Sequence, residues 1–207
     1  MNQSHKRKTQ IGIFGGSFDP PHLGHLIVAE YVRTECGLKN ILFVPASQSP
    51  HKLNVPIASA SDRVAMTRRA VKGNRGFAVS DREVRRGGIS YTVDTVNALA
   101  AENPGAELFL ILGADSFTDF STWKSPDSIV SKATLLVYPR IGISGFKNQK
   151  YARHAEFIPA PQIQISSSVI RRRVATGKSI RYLVPEPVEH YILSHGLYSQ
   201  KPKDGRD

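Results

Sequence analysis

Short, unbroken apolar runs rich in β-branched residues recur along the chain: 11–14 (IGIF), 41–46 (ILFVPA), 77–80 (FAVS), 108–113 (LFLILG), 134–138 (TLLVY) and 156–160 (EFIPA). A strand covered on both faces shows such continuous hydrophobicity, whereas a strand with one wet face alternates. Helical patterns separate them. From Leu23 to Cys36, Leu23, Ile27 and Tyr31 recur every four residues, and Gly37 supplies a stop. Ser61 is expected to cap a second helix running through Val71, and Thr92 a third running through Ala101, before Pro104 and Gly105. Ile165 to Arg173 opens another helix behind a run of serines, and Pro187 to Leu193 forms a last one before Gly196. Strands alternating with helices predict a doubly wound, Rossmann-like α/β fold around a parallel sheet. Ligands of such sheets bind beyond the carboxyl ends of the strands, where strand order reverses, so functional residues are expected just after strands. Segment 140–150 has two glycines and no helical period, and reads as a mobile loop.

At 207 residues, with 40% hydrophobic and 22% charged residues, the chain suits a single packed domain spanning 1–207, with basic flexible tails at 1–9 and 200–207. No apolar run reaches the roughly 18 to 20 residues of a membrane helix, and no signal-peptide core precedes the first strand. The lone Cys36 can form neither an internal disulfide nor a multi-cysteine metal site. A cytoplasmic protein with no membrane partner is expected. The net charge of +11 implies anionic partners, either nucleic acid or phosphorylated metabolites.

Two segments favour the metabolites. Gly15 to His25 (GGSFDPPHLGH) follows the first strand and runs into the first helix; its glycines permit a tight turn and close ligand approach. His22 and His25, three apart, sit about 60° apart around a helix, near its positive end, where imidazole N–H groups can meet phosphate oxygens. Neither a GxGxxG nor a GxxxxGK[ST] pattern is present, so the phosphate is held differently from dinucleotide or P-loop folds. The second segment is Ile165 to Arg173 (ISSSVIRRR), where hydroxyls, helix-terminal N–H groups and Arg171 can converge on one anion.

Taken together, GxFxPxHxGH and ISSxxIR resemble the HxGH nucleotidyltransferase superfamily. Within it, FVPASQSPHK (43–52), SDREVRRGGISYTVDT (80–95), LGADSFTDFSTWKSPDSI (112–129) and the stretch 165–198 are similar to the bacterial nicotinate mononucleotide adenylyltransferase family. Ser49 and Ser168 stand where that family often has proline and threonine. The resemblance implies transfer of AMP from ATP to nicotinate mononucleotide, with Mg²⁺ accompanying ATP and no separate protein metal site. It implies that Gly16, Ser17 and Phe18 line the ATP phosphates, that His22 and His25 stabilise the α-phosphate, and that Ser167, Ser168 and Arg171 hold the β and γ phosphates. Gly113 and Asp115 would meet adenosine, Lys52 and Arg140 the mononucleotide phosphate, the Tyr91–Thr92 backbone the nicotinate carboxylate, and Trp123 the pyridine ring. Other readings are a nicotinamide mononucleotide or phosphopantetheine adenylyltransferase, a class I aminoacyl-tRNA synthetase, for which the chain is short, and a basic nucleic-acid-binding module, which the paired phosphate segments disfavour. Homo-oligomerisation stays open.

Overall fold

A computed structural model describes residues 9–50, 58–142 and 150–199. Lys52, most of the 140–150 loop, and the tails apart from Thr9 lie outside the described residues. Six strands, β1 (Gln10–Gly16), β2 (Asn40–Pro45), β3 (Phe77–Val79), β4 (Glu107–Gly113), β5 (Ala133–Tyr138) and β6 (Ala155–Phe157), form one sheet in the order β3-β2-β1-β4-β5-β6. Every adjacent pair is parallel. The Thr9 carbonyl accepts from the Glu107 N–H at 2.9 Å, so the β1–β4 pairing extends to the first described residue.

The continuous apolar strands arise because both faces are covered. Along β5, Leu135 and Val137 point into a core shared with Val96, Leu110, Phe117 and Ile129. Leu136 and Tyr138, on the opposite pleat, join Phe14, Val28, Val32 and Phe43. Helices α4 (Thr92–Glu102), α5 (Ala114–Thr118) and α6 (Pro126–Val130) contribute to the first core, and α1 (Leu23–Glu35) to the second. A third cluster joins α2 (Ala60–Val71), α7 (Ser167–Ala175) and α8 (Glu186–Ser194) through Met66, Ala70, Ile170, Val188 and Ile192.

Two helix starts differ from expectation. Ser59, not Ser61, caps α2, its hydroxyl accepting from the Asp62 N–H at 3.1 Å. Tyr91 occupies the cap position of α4, and Thr92 is the first helical residue. In both cases several hydroxyl residues lie close together, and their order alone does not show which leaves the helical conformation. The helices α3 (Arg82–Arg86), α5 and α6 were not anticipated, since one turn is too short to display a 3.6-residue period. The stop at Gly37 is borne out: it has φ 62°, the left-handed conformation that glycine adopts at little cost.

Because β5 is buried on both faces, Leu135→Ala and Leu136→Ala should each destabilise by about 2 to 5 kcal/mol, the usual range for core leucine truncation. Urea unfolding of the two variants checks this; a loss confined to one of them would mean that one face of the strand is wet.

Candidate active site

The reversal of strand order falls at β1, which has β2 on one side and β4 on the other. A cleft of about 450 Å³ opens beside it, lined by His22, Gly24 and His25 from the start of α1, Asp115 after β4, Arg140 after β5, and the 161–166 segment leading into α7. Each element reaches the cleft at a strand carboxyl end or a helix amino end, so backbone dipoles there favour an anion.

The loop from β1 to α1 is built around buried aromatic packing. Phe18, in the left-handed region at φ 49°, sinks its ring against Phe14, Phe43 and His25, with centroids 5.9, 5.6 and 5.1 Å away. A β-carbon at Gly16 would come within 3.1 Å of that ring, so only glycine lets the chain turn there without displacing it. The Asp19–Pro20 peptide is cis.

His22 is the cap residue of α1 and not part of its first turn, as its extended φ of −139° shows. Its N–H donates to Nδ1 of His25 at 3.1 Å, and the two rings stack with centroids 3.6 Å apart. With Nδ1 accepting, a neutral His25 carries its proton on Nε2 and can donate there. His22 is 5% exposed. Burial, reinforced by the positive Arg140, pulls its pKa down from 6.5 to about 3, so the ring is neutral near pH 7. The His22 and His25 side chains each turn toward the other residue's backbone N–H, closing a capping box at the start of α1. The ring lies over the helix backbone, where a β-carbon at Gly24 would stand 3.1 Å from Nδ1. That contact explains the glycine between the histidines.

Asp115 and Arg140 meet on the opposite wall, Nε to Oδ1 at 3.6 Å. Both crowd the position a β-carbon would take at Gly113. At the entrance of α7, Ser166 is the cap, accepting from the Val169 N–H at 3.3 Å. Ser167 Oγ donates to the Pro20 carbonyl at 2.9 Å, and the Ser168 and Ser166 hydroxyls lie 3.1 Å apart. Arg171 donates to the Asp19 carbonyl at 2.7 Å and pairs with the Asp19 carboxylate at 3.3 Å. The two segments marked in the sequence as candidate anion sites are thus joined to each other.

His22, His25, Asp115 and Arg140 share the cleft; Ser167 and Arg171 bind the Pro20 and Asp19 carbonyls and Ser168 lies beside the cleft residue Ser166, while Gly16, Ser17, Phe18 and Gly113 are not among the lining residues. Tyr91, Thr92 and Trp123 do not line it. Tyr91 and Trp123 pack against the core on the α4 side, Trp123 beside Phe120 at 5.3 Å and Tyr91 beneath the Lys124 ammonium at 4.3 Å. Several residues around the site had not been singled out. Asp19, 2% exposed, accepts from the Ala58 N–H and the Tyr198 hydroxyl at 3.0 and 2.7 Å. Arg63 carries no sequence signal, being a long-range partner, whereas Asp19, Ser166 and Tyr198 lie inside segments already marked. Among the described residues no group of three or more His, Cys, Asp and Glu side chains is arranged to hold a metal.

Comparison with known proteins agrees with this geometry. Residues 13–173 match the model of the cytidylyltransferase-like family. A Thermomicrobium roseum protein is 47% identical over 92% of this chain and 92% of its own length. One from Salinibacter ruber is 43% identical over 94% of this chain and 99% of its own. Both are named nicotinate-nucleotide adenylyltransferase. The chain belongs to the nicotinate-nucleotide adenylyltransferase family. The fold is shared more widely: the Plasmodium falciparum nicotinic acid mononucleotide adenylyltransferase complexed with NaAD superposes with a TM-score of 0.77 at 19% identity, covering 92% of this chain and 97% of that one. As a member of that family, the chain is a nucleotidyltransferase with a Rossmann-like fold.

Two outcomes follow from the histidine geometry. In the window between pH 6.5 and 3, His22 is protonated only after unfolding, so unfolding takes up a proton and stability falls as pH falls. This group should remove about 2 kcal/mol between pH 7 and 5, at about 1.4 kcal/mol per unit below 6.5. His22→Asn should flatten that part of the slope in urea unfolding curves. Gly24→Ala, which crowds the His22 ring, should lower turnover by at least about tenfold while costing under about 2 kcal/mol of stability, since misplacing a reacting group by a fraction of an ångström outweighs one extra methyl. Kinetics beside a thermal melt of the same variant check it.

Proposed function

We propose that the chain joins ATP and nicotinate mononucleotide into nicotinate adenine dinucleotide with release of pyrophosphate, a step of NAD biosynthesis. The observation that carries this reading is the stacked pair of a buried His22 and a half-buried His25, sharing one switch-point cleft with the serine-capped entrance of α7. The family relationship supplies the substrates.

The chemistry needs no general base. A mononucleotide phosphate has a second pKa of about 6, so near pH 7 it is mostly a dianion and can attack the α-phosphorus directly. A new P–O bond forms as the bond to the β-phosphate breaks in line, and the electron pair leaves on pyrophosphate. The protein's task is to position both partners and to stabilise growing negative charge. In this reading His22, a neutral ring, and His25 stacked on it bind the α-phosphate oxygens. Ser167, Ser168 and Arg171 hold the β and γ phosphates, beside the Gly16–Phe18 backbone. Asp115 accepts from ribose hydroxyls near Gly113, while Arg140 and Lys52 serve the mononucleotide phosphate. The Tyr91–Thr92 backbone receives the nicotinate carboxylate and Trp123 the pyridine ring. Mg²⁺ would enter with ATP and not on protein carboxylates, because Asp115 faces Arg140 and Asp19 accepts from Tyr198 beside Arg171. When bound it neutralises phosphate charge.

A parallel pyrophosphate-release assay with nicotinate and nicotinamide mononucleotides tests the proposal. Backbone N–H donors near Tyr91 and Thr92 suit both carboxylate oxygens, whereas a carboxamide turns an NH₂ toward one donor. An unpaired buried polar group costs about 1 to 3 kcal/mol, or roughly five- to 150-fold. The acid should be preferred by at least about tenfold in kcat/KM. Equal efficiencies would remove the donor-pair argument, and no turnover of either would remove the function.

A further inference from the structure

Arg63 lies on α2, has 1% of its surface exposed, and has no place among the substrate contacts above. Its guanidinium meets no carboxylate within ion-pair distance among the described residues. It binds backbone carbonyls instead. Nη1 donates to Ser17 at 2.8 Å and to Ala46 at 2.5 Å, Nη2 to Ser47 at 2.7 Å, and Nε to Ala58 at 3.2 Å. Ser17 belongs to the loop after β1, and Ala46 and Ser47 to the loop after β2. The second loop is fastened onward: the Ser47 N–H donates to Ser90 Oγ, and the Ser90 N–H donates to the Gln48 carbonyl, each at 2.9 Å. Tyr91 and Thr92 follow directly. One buried cation therefore sits at the junction of the loop assigned to the ATP phosphates and the two segments assigned to the mononucleotide.

We propose that Arg63 is a positioning residue that sets the relative placement of the ATP loop and the mononucleotide loops. The inference rests on the functional reading above, since those loops are assigned through it. Burying a charge without a countercharge in contact is costly, and an apolar side chain would fill the same space more cheaply. The planar fork of arginine supplies what an apolar chain cannot, several donors in fixed directions that hold separate backbone segments together. In-line transfer demands that the attacking oxygen and the α-phosphorus be held within a fraction of an ångström of alignment. A misplacement of about 1 Å can cost about 100-fold.

The test uses the full chain with Arg63→Lys, Ser90→Ala, the double variant, and Val188→Ala as a destabilised control remote from these loops. Wild-type formation of dinucleotide is measured first; its absence overturns the functional reading and not the role of Arg63 within the fold. Given turnover, Arg63→Lys should lower kcat per folded molecule by about 10- to 100-fold, and Ser90→Ala by about three- to tenfold. Affinity for MgATP alone, measured calorimetrically, should change by less than about threefold, because each loop stays intact while their registration is lost. The double variant should be no slower than Arg63→Lys, since both substitutions break one connection. Unchanged kcat in folded Arg63→Lys, additive losses in the double variant, or a kcat loss of similar size in Val188→Ala would overturn the proposal. If Arg63→Lys does not fold, Ser90→Ala decides: wild-type kcat in that variant overturns it equally.

Discussion

The reversal of strand order at β1 is the constraint on which the site depends. Crossover connections in a parallel sheet are right-handed, so the chain covers one face while moving outward through β2 and β3, and the other face while moving outward through β4, β5 and β6. The loops after β1 and β4 therefore diverge, leaving a crevice that neither helix layer fills. His22 and His25 stand on one side of it and Asp115 and Arg140 on the other. Had β4 been added beyond β3, these side chains would lie several strands apart, although the local sequence would be unchanged.

Desolvation then determines what the crevice can do. His22, close to Arg140 and shielded from water, cannot hold a proton near pH 7, and presents a neutral ring to the cleft. An anion bound there would oppose Arg140 and raise the affinity of the ring for a proton. The site is thus electrostatically complementary to phosphate without a fixed imidazolium. Below it, the Asp19 carboxylate lies beside Arg171 and accepts from Tyr198, which ties the phosphate loop to α7 and to the C-terminal segment. Burial pushes the Tyr198 hydroxyl far upward, so it remains a hydrogen-bond donor.

Part of the basic complement is held in surface ion pairs. Arg68 and Arg85 pair with Asp81, Arg82 with Glu102, and Arg86 with Asp94, all on the surface around α3. Pairs of this kind contribute about 0 to 1 kcal/mol each and present little unneutralised charge to a distant polyanion. Arg63 and Arg171 are engaged with loops of the site.

The sequence by itself determined the strands, the principal helices and the two helix entrances that meet at the cleft, because each is written in neighbouring residues: apolar runs bounded by glycine and proline, and serines or histidines at a helix entrance. Its limits appear where a function depends on distance across the fold. Choosing among Ser59 and Ser61, or Tyr91 and Thr92, as a cap required the backbone angles. Arg63 looked like one charge among 28 basic residues until packing placed it between Ser17, Ala46 and Ser47. Asp19 and Tyr198, 179 positions apart, meet at 2.7 Å only in the folded chain. Local propensity depends on interactions within a few residues, whereas burial and hydrogen-bond partnership depend on which strand lies beside which, and that was decided by tertiary structure alone.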